Sequence, residues 1–203
     1  GRVLGGGVVG ENAARVALGM EADVTLLDIS LKKLAELDTH YGPALNTVFS
    51  TRDAIQQLVA EADLVIGAVL VPGGEAPALV SEALVKEMKK GSVIVDVDID
   101  QGGCIATAEP TTHSHPTFTK HGVVHYCVAN MPGAVARTST FALTNATLPF
   151  VLALANKRLL HAMAEDPHVL AGLNVHRGQV THQAVAESTK NLFVPPATAL
   201  ELT

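Results

Sequence analysis

The chain has 203 residues, of which 48% are hydrophobic and 3% aromatic, and its formal net charge is -6. This charge argues against nucleic acid as a main partner, because phosphate backbones are bound by basic surfaces. Two cysteines cannot form the disulfide framework of a small secreted protein, so we expect an intracellular, cytoplasmic chain. Since no stretch reaches the ~18 uninterrupted apolar residues of a membrane helix, we expect no membrane association.

The first ten residues contain a G-x-G-x-x-G pattern at Gly5, Gly7 and Gly10. A strand-like stub at 1–4 precedes it, and because the chain begins inside this element we expect further residues upstream. A helix-like run at 12–20 and an apolar run at 24–27 follow, ending at Asp28, 18 residues past Gly10.

This spacing is typical of a dinucleotide-binding βαβ unit. There the glycines allow a tight turn and a close approach to a pyrophosphate, which lies at a helix N-terminus. We predict that Gly5, Gly7 and Gly10 cradle the pyrophosphate and that Asp28 accepts hydrogen bonds from the adenosine ribose. The alternative is a glycine-rich turn in an ordinary α/β domain.

The following segments alternate between helix-like and strand-like patterns. Helices are predicted at 31–41, 53–61 and 81–90, and strands at 47–50, 62–71, 92–97 and 122–128. Continuous apolar strands are typical of a parallel sheet covered by helices on both faces. The pattern predicts the α/β class, with a Rossmann-type doubly wound parallel sheet over residues 1–133.

The pattern changes after Pro132. Residues 138–165 predict a long apolar helix, which we expect Pro149 to kink or break. Residues 172–185 are mixed, and the tail from Asn191 is expected to be loosely attached. We assign residues 134–203 to a C-terminal helical extension that packs on an N-terminal domain outside this chain or on neighbouring subunits.

In an open parallel sheet, ligands bind beyond the carboxyl ends of the strands. Residues 28, 69–73, 98–103 and 129–132 are predicted to meet there. Asp100 stands out, because two glycines follow Gln101 and allow the backbone to approach a ligand. The pattern fits a catalytic turn or a polar strand end with a simple glycine turn.

Three longer segments resemble the alanine dehydrogenase family. They are D-L-V-I-G-A-V-L-V-P-G at 63–73, D-Q-G-G-C at 100–104 with P-T-T-H at 110–113, and V-A-N-M-P-G at 128–133 with A-L-T-N-A-T-L-P at 142–149. The match weakens after about Pro167. The NAD-binding subunit of proton-translocating transhydrogenase shares the acid-Gln-Gly-Gly turn but is not known for the run at 145–149.

The resemblance implies reversible oxidative deamination of L-alanine to pyruvate and ammonia with NAD as hydride acceptor, in a homo-oligomer that is often hexameric. It implies that Asp100 is a catalytic acid/base or orienting group and that Asn130 binds the substrate carboxylate. It also implies cofactor contacts by Lys33 near the ribose, Ser50 at the adenine, Val69 and Leu70 along the adenosine and ribose, Val97 at the nicotinamide end, and Met131 beside the nicotinamide.

The resemblance also implies that part of the site lies outside this chain. In the family, a proton-handling His and the Arg and Lys that hold the substrate belong to the N-terminal domain, so we expect the chain alone to be inactive. Two alternatives stay open: a non-catalytic NAD-binding module, and the NAD-binding subunit of a transhydrogenase.

Two residues depart from the family pattern. Asp98 stands where a small apolar residue is usual. If the strand continued, Asp96, Asp98 and Asp100 would share one face and the charge of Asp98 would repel that of Asp100. Glu21 replaces an expected glycine after the first helix, which predicts a left-handed backbone at a cost in stability.

The histidines and cysteines of the chain suggest no further chemistry. His113, His115, His121 and His125 are close in sequence, but no acid or cysteine completes a familiar metal-ligand spacing. We interpret them as surface or locally hydrogen-bonded residues and expect no bound metal. The two cysteines, Cys104 and Cys127, are expected to be small buried hydrophobic residues.

Overall fold

The computed structural model describes residues 1–69 and 78–201. The chain divides into two compact units, Gly1–Met131 and Pro132–Thr203. Of the predicted site residues, Leu70 lies outside the described residues.

The first unit is built on one twisted sheet. Within the described residues this sheet has seven strands, which are Arg2–Leu4 (β1), Val24–Asp28 (β2), Leu45–Phe49 (β3), Leu64–Gly67 (β4), Val93–Asp96 (β5), Thr117–Lys120 (β6) and Val123–Tyr126 (β7). Their order across the sheet is β3-β2-β1-β4-β5-β7-β6, and every neighbouring pair is parallel except β6 and β7.

This order confirms the predicted α/β fold of the doubly wound type. The strand β6, which is antiparallel and lies at the edge of the sheet, was not predicted from the sequence. Its side chains alternate between exposed and half-buried. It therefore lacks the continuous apolar run by which the buried strands were recognised.

The helices of this unit are Val8–Gly19 (α1), Leu31–Tyr41 (α2), Arg52–Ala60 (α3) and Glu82–Glu87 (α4). Ser30, Thr51 and Ser81 begin the last three, each accepting a hydrogen bond from the backbone N–H three residues ahead. Such caps satisfy one of the unpaired donors at a helix start. By contrast, α1 begins after Gly7 without a side-chain cap, so its first N–H groups are available to a ligand.

The core is packed on both faces of the sheet. Neighbouring residues of β1 point to opposite sides, with Val3 in one buried cluster and Leu4 in the other. Leu26 and Leu27 of β2 divide in the same way. Because side chains alternate along a strand, a sheet with apolar residues at every position needs helices on both faces. This is why these strands read as continuous apolar runs.

The second unit is mostly helical. Its helices are Ala136–Lys157 (α5), Leu159–Glu165 (α6), Pro167–Ala171 (α7), Gln183–Thr189 (α8) and Pro196–Ala199 (α9), and Val175–His176 (β8) pairs with Gln179–Val180 (β9). The helix α5 continues through Pro149, so the predicted break at that residue is wrong. The interruption falls at Arg158, whose φ of 61° cannot continue a right-handed helix.

A small buried cluster holds the end of this unit together. Ala162, Met163, Val169 and Leu173 pack with Leu200, which is buried. The backbone N–H of Val194 also donates to the carbonyl of Val180. The expectation of a loosely attached tail is therefore wrong as far as Leu200, because apolar burial fixes it.

The helix α5 has no buried residue. By length and composition the segment Met131–Lys157 would suffice to cross a membrane. One such helix is weak evidence for a membrane span, since long apolar helices of soluble proteins pass the same test. Its apolar side chains include Phe141, Leu143, Val151 and Leu152, each 48% exposed or more.

Candidate functional site

A crevice of about 730 Å³ lies in the first unit, along the carboxyl edge of the sheet. Volumes of this size are typical of sites for small molecules and cofactors. Five residues predicted from the sequence line it: Gly5, Gly7, Asp28, Ser50 and Val69. Asp98, which belongs to the segment 98–103 predicted to reach this edge, also lines it. The remaining lining residues were not predicted from the sequence; they are Val8, Val9, Leu27, Ile29, Arg52, Ile55, Ala68, Ala78 and Leu79.

The glycine turn is packed so closely that larger residues would not fit. Gly5 has a φ of 97°, its N–H donates to the Leu27 carbonyl, and a Cβ there would clash with the carbonyl of Ala68. Gly10 is buried, and a Cβ on it would clash with the carbonyl of Gly5. A Cβ on Gly7 would meet open space. The turn therefore joins α1 tightly to β1 and leaves the uncapped helix start facing the crevice.

Asp28 connects this turn to the next helix. Its Oδ2 accepts a hydrogen bond of 2.6 Å from the N–H of Gly6, and its Oδ1 accepts one of 2.7 Å from the N–H of Ser30. A carboxylate oxygen has more than one acceptor position, so both oxygens can still accept from ribose hydroxyls. The two backbone contacts fix the carboxylate at the end of β2, where the glycine spacing predicts the ribose.

Two cations lie at this end of the site. Lys33 forms an ion pair of 2.7 Å with Glu11, and both side chains are half-buried. The hydrogen bond in this pair raises the pKa of Lys33 and lowers that of Glu11. Arg52, at the start of α3, lines the crevice itself. Arg52 was not predicted from the sequence, although its position at the start of the helix that follows β3 was a usable signal.

Asp96 holds the loop that follows β5. It is fully buried at the end of β5, and its Oδ2 accepts hydrogen bonds from the N–H groups of Cys104 and Ile105. Burial raises the pKa of Asp96, these two hydrogen bonds lower it, and the charge of Asp98 raises it. The contacts hold the loop that carries Asp100 against the sheet.

Asp98 and Asp100 do not share a strand face with Asp96, so that prediction is wrong. The strand β5 ends at Asp96, and a 3₁₀ turn follows at Ile99–Gln101. The turn ends the alternation of side chains along the strand, so the two acids have different surroundings. Asp98 lines the crevice, whereas Asp100 does not line it and is exposed. Burial raises the pKa of Asp98.

The structure brings the predicted catalytic and substrate-binding residues together. The Oδ2 of Asp100 accepts a hydrogen bond of 3.0 Å from the backbone N–H of Asn130. Asn130 has a φ of 52° and is exposed, and half-exposed Met131 follows it. Val97 is half-buried, and its N–H donates to the carbonyl of Gly67. Among the described residues, Lys33, Val97, Asp100, Asn130 and Met131 do not line the crevice itself.

The histidines have separate local partners. His125 is buried between the Thr107 hydroxyl and the Val123 carbonyl, His121 contacts Glu82, and His113 contacts the Asn130 carbonyl. No group of three potential ligands suited to a metal occurs in residues 1–69 and 78–201. Cys104 and Cys127 are buried free thiols, as predicted, and burial raises the pKa of Cys104 to about 12.

Together, the doubly wound sheet, the glycine turn, the uncapped helix start and the acid at the end of β2 define a dinucleotide-binding domain. The residues fit such a ligand. The turn tolerates only glycine at Gly5 and Gly10, and the crevice contains a buried carboxylate oxygen, Asp98 Oδ2, that has no partner among the described residues.

Comparison with known proteins identifies the family. Residues 2–183 match the family model for the C-terminal domain of alanine dehydrogenase/PNT, and the chain belongs to this family. It is 60% identical over 198 residues to alanine dehydrogenase of Halomonas elongata and 54% identical over 200 residues to that of Bacillus subtilis. Each match covers 98% of this chain and 53% of the relative, so the chain spans about half the length of these relatives.

Solved structures agree with this assignment. An L-alanine dehydrogenase structure has a TM-score of 0.85 and 50% identity, covering 93% of this chain and 52% of that one. A transhydrogenase from Sinorhizobium meliloti has a TM-score of 0.71 and 28% identity, covering 90% of this chain and 49% of that one. The similarity to both confirms the predicted resemblance.

Proposed function

We propose that this chain forms the NAD-binding part of an enzyme that reversibly deaminates L-alanine to pyruvate and ammonia. The observation that carries the proposal is the hydrogen bond between the Asp100 carboxylate and the backbone N–H of Asn130, which joins the loops that follow β5 and β7. Relatives named alanine dehydrogenase at 54% and 60% identity support the same reaction.

The adenosine and pyrophosphate groups of NAD are assigned to the part of the crevice next to the glycine turn and Asp28. The free N–H groups at the start of α1 bind the pyrophosphate, and the positive end of the helix dipole favours its charge. Asp28 accepts hydrogen bonds from the ribose, with Ser50 and Val69 lining the same crevice. When bound, NAD supplies the acceptor for the hydride that leaves the substrate.

The reacting end of the site is assigned to Asp100 and Asn130. The amide of Asn130 donates to the substrate carboxylate, and Asp100 holds or accepts a proton at its exposed carboxylate as nitrogen leaves the substrate. The backbone N–H of Asn130 donates to the Oδ2 of Asp100 and so positions this carboxylate. Positioning of this kind contributes to rate because the groups need no rearrangement during the reaction.

The protein that contains this chain needs further groups for turnover. We infer that the half of the relatives' length that this chain does not span supplies the cations that hold the substrate and a proton-handling histidine. The isolated 203-residue chain is then inactive but binds NAD.

The proposal is tested by assaying the intact protein in both directions. We expect NADH formation that requires L-alanine, and NADH consumption that requires both pyruvate and ammonium. Hydride exchange between two nicotinamide cofactors without L-alanine would instead support the transhydrogenase function. Binding of NAD with neither reaction would support a non-catalytic module.

We further propose a cytoplasmic homo-oligomer, a hexamer by family resemblance, with no nucleic-acid or membrane partner. Two buried free thiols, Cys104 and Cys127, suit a reducing compartment. The apolar side chains exposed on α5 support burial against other subunits or against the rest of the protein. The net charge of -6 argues against binding to nucleic acid.

A further inference from the structure

The side chain of Asp98 forms no hydrogen bond or ion pair with the described residues. It lines the crevice, and its Oδ2 is buried without a hydrogen-bond partner among the described residues. An unpaired buried acceptor is costly, and such groups in a binding site point to a ligand that satisfies them. The Oδ2 of Asp96 accepts from the backbone at 104–105 and the Oδ2 of Asp100 accepts from Asn130. The Oδ1 of Asp96 is also buried without a partner among the described residues, but Asp96 does not line the crevice, whereas Asp98 does.

The backbone holds Asp98 rigidly in this position. Its carbonyl accepts hydrogen bonds from the N–H groups of Gln101 and Gly103, which close the turn that follows β5. No ion pair in residues 1–69 or 78–201 involves Asp96, Asp98 or Asp100. Within the described part of the chain, the carboxylate of Asp98 therefore lies in the crevice without an ion-pair partner.

The strand order places Asp98 at the nicotinamide end of the site. Asp28 is the last residue of β2, at the adenosine end, whereas Asp98 follows β5, three strands farther across the sheet. At a strand spacing of ~4.8 Å, the two carboxylates are separated by about 14 Å. A dinucleotide whose ribose lies at Asp28 extends across β1 and β4 toward Asp98.

We propose that Asp98 is a specificity-determining residue that shifts the binding preference of the crevice toward the oxidised form of the cofactor, relative to the reduced form. The inference rests on the proposed function as an NAD-binding site. The oxidised nicotinamide ring carries a positive charge and the reduced ring carries none. A fixed carboxylate at that end of the crevice therefore stabilises the oxidised form selectively, whereas a hydrogen bond to a ribose or carboxamide would favour both forms alike.

The magnitude is large enough to measure. Two unit charges about 10 Å apart, at an effective dielectric constant of about 20, change an equilibrium by roughly tenfold or slightly more. We expect Asp98→Asn and Asp98→Ala each to raise the ratio of the Kd for NAD⁺ to the Kd for NADH by about this factor. Asp98→Asn keeps the size and an acceptor oxygen, so it isolates the effect of charge.

The experiment titrates the intact protein with NAD⁺ and with NADH by calorimetry, without substrate. Asp28→Asn is the matched control, since it removes a carboxylate from the far end of the same crevice. We expect it to weaken both forms equally and to leave the ratio unchanged. Circular dichroism and thermal unfolding establish that each variant is folded.

The outcomes separate this inference from the function on which it rests. If neither cofactor form binds to the unsubstituted protein, the proposed function and the role of Asp98 both fail. If both forms bind and the two Asp98 variants keep the original ratio, only the role of Asp98 is overturned. A ratio that changes in Asp98→Ala but not in Asp98→Asn also overturns it, because the effect would then come from contact and not from charge.

Discussion

The carboxylate of Asp100 and the backbone N–H of Asn130 are joined by a hydrogen bond of 3.0 Å across 30 positions of sequence. Asp100 lies in the turn after β5, and Asn130 lies after β7, the strand that pairs with β5. The contact therefore links the loops that follow two neighbouring parallel strands. It places an exposed carboxylate and an exposed amide at one point of the sheet edge.

Asp100→Asn is expected to reduce turnover of L-alanine by at least ~10²-fold, the lower end of acid/base contributions, with NAD affinity within a few-fold of the original. The variant keeps an oxygen that accepts from Asn130, so the loss reports on charge and proton transfer. Steady-state kinetics and an NAD titration of the intact protein measure the two effects. Normal turnover would show that the carboxylate is structural.

Asn130→Gly is the companion variant. Glycine adopts the φ of 52° without strain and keeps the N–H that binds Asp100, so only the amide is lost. We expect the KM for L-alanine to rise while NAD affinity stays constant. An unchanged KM would exclude the amide from substrate binding.

The cofactor is expected to be NAD and not NADP. The charge of Asp28 repels a 2′-phosphate, and Lys33 is engaged with Glu11. Asp28→Ala should narrow the difference in affinity between the two cofactors. Adding Arg52→Ala should widen it again, because Arg52 is then the cation left in the crevice to attract the phosphate. Tighter binding of NADP to the unsubstituted protein would contradict this prediction.

Glu21→Gly is expected to stabilise the protein by about 1 kcal/mol. Glu21 follows α1 with a φ of 62°, as the sequence predicted, and a left-handed backbone is unfavourable for a residue with a Cβ. The matched control is Glu61→Gly after α3, where φ is -89° and glycine only adds freedom to the unfolded chain. Urea unfolding should show opposite signs; a loss of stability in Glu21→Gly would contradict the argument.

His125 is expected to make stability depend on pH. Its neutral ring donates from Nδ1 to the Val123 carbonyl and accepts at Nε2 from the Thr107 hydroxyl, and burial lowers its pKa below the usual 6.5. The folded state therefore favours the neutral ring. This contribution to stability is present above pH 6.5 and is lost as the pH falls through the lowered pKa.

Urea unfolding between pH 8 and pH 5 measures this effect. Thr107→Val should cost roughly 1–3 kcal/mol, because it leaves the ring nitrogen unsatisfied. In the double variant Thr107→Val with His125→Phe, both polar groups are gone, and the acid-dependent decrease assigned to His125 should disappear. An unchanged pH dependence in the double variant would assign it to other groups.

The intact protein is expected to sediment as an oligomer at micromolar concentration. Leu143→Glu places a charge on α5, where the side chain is 66% exposed in this chain, and should shift the protein toward smaller species. Leu192→Glu, at another exposed apolar residue, is the control and should leave assembly unchanged. A monomer for the unsubstituted protein would refute the assembly proposal.

The sequence predicted those features that depend on local spacing. The distance from Gly10 to Asp28 is set by one helix and one strand, so the sequence alone predicted that the glycine turn and Asp28 lie together, and Gly5, Gly7 and Asp28 do line one crevice. The left-handed residue at Glu21 and the buried cysteines followed from similar local patterns. The boundary of β5 was less accurate, because an apolar run does not show where hydrogen bonding to β4 stops.

The sequence by itself determined the fold class and the glycine turn, because continuous apolar strands separated by helices allow few other arrangements. Only the tertiary structure decided the directions of Asp96, Asp98 and Asp100, which a strand pattern would have placed on one face. It also decided the edge position of β6, the interruption at Arg158 and the attachment of Leu200. The physical reason is that these features depend on hydrogen bonds and burial between residues far apart in sequence, which local composition does not encode.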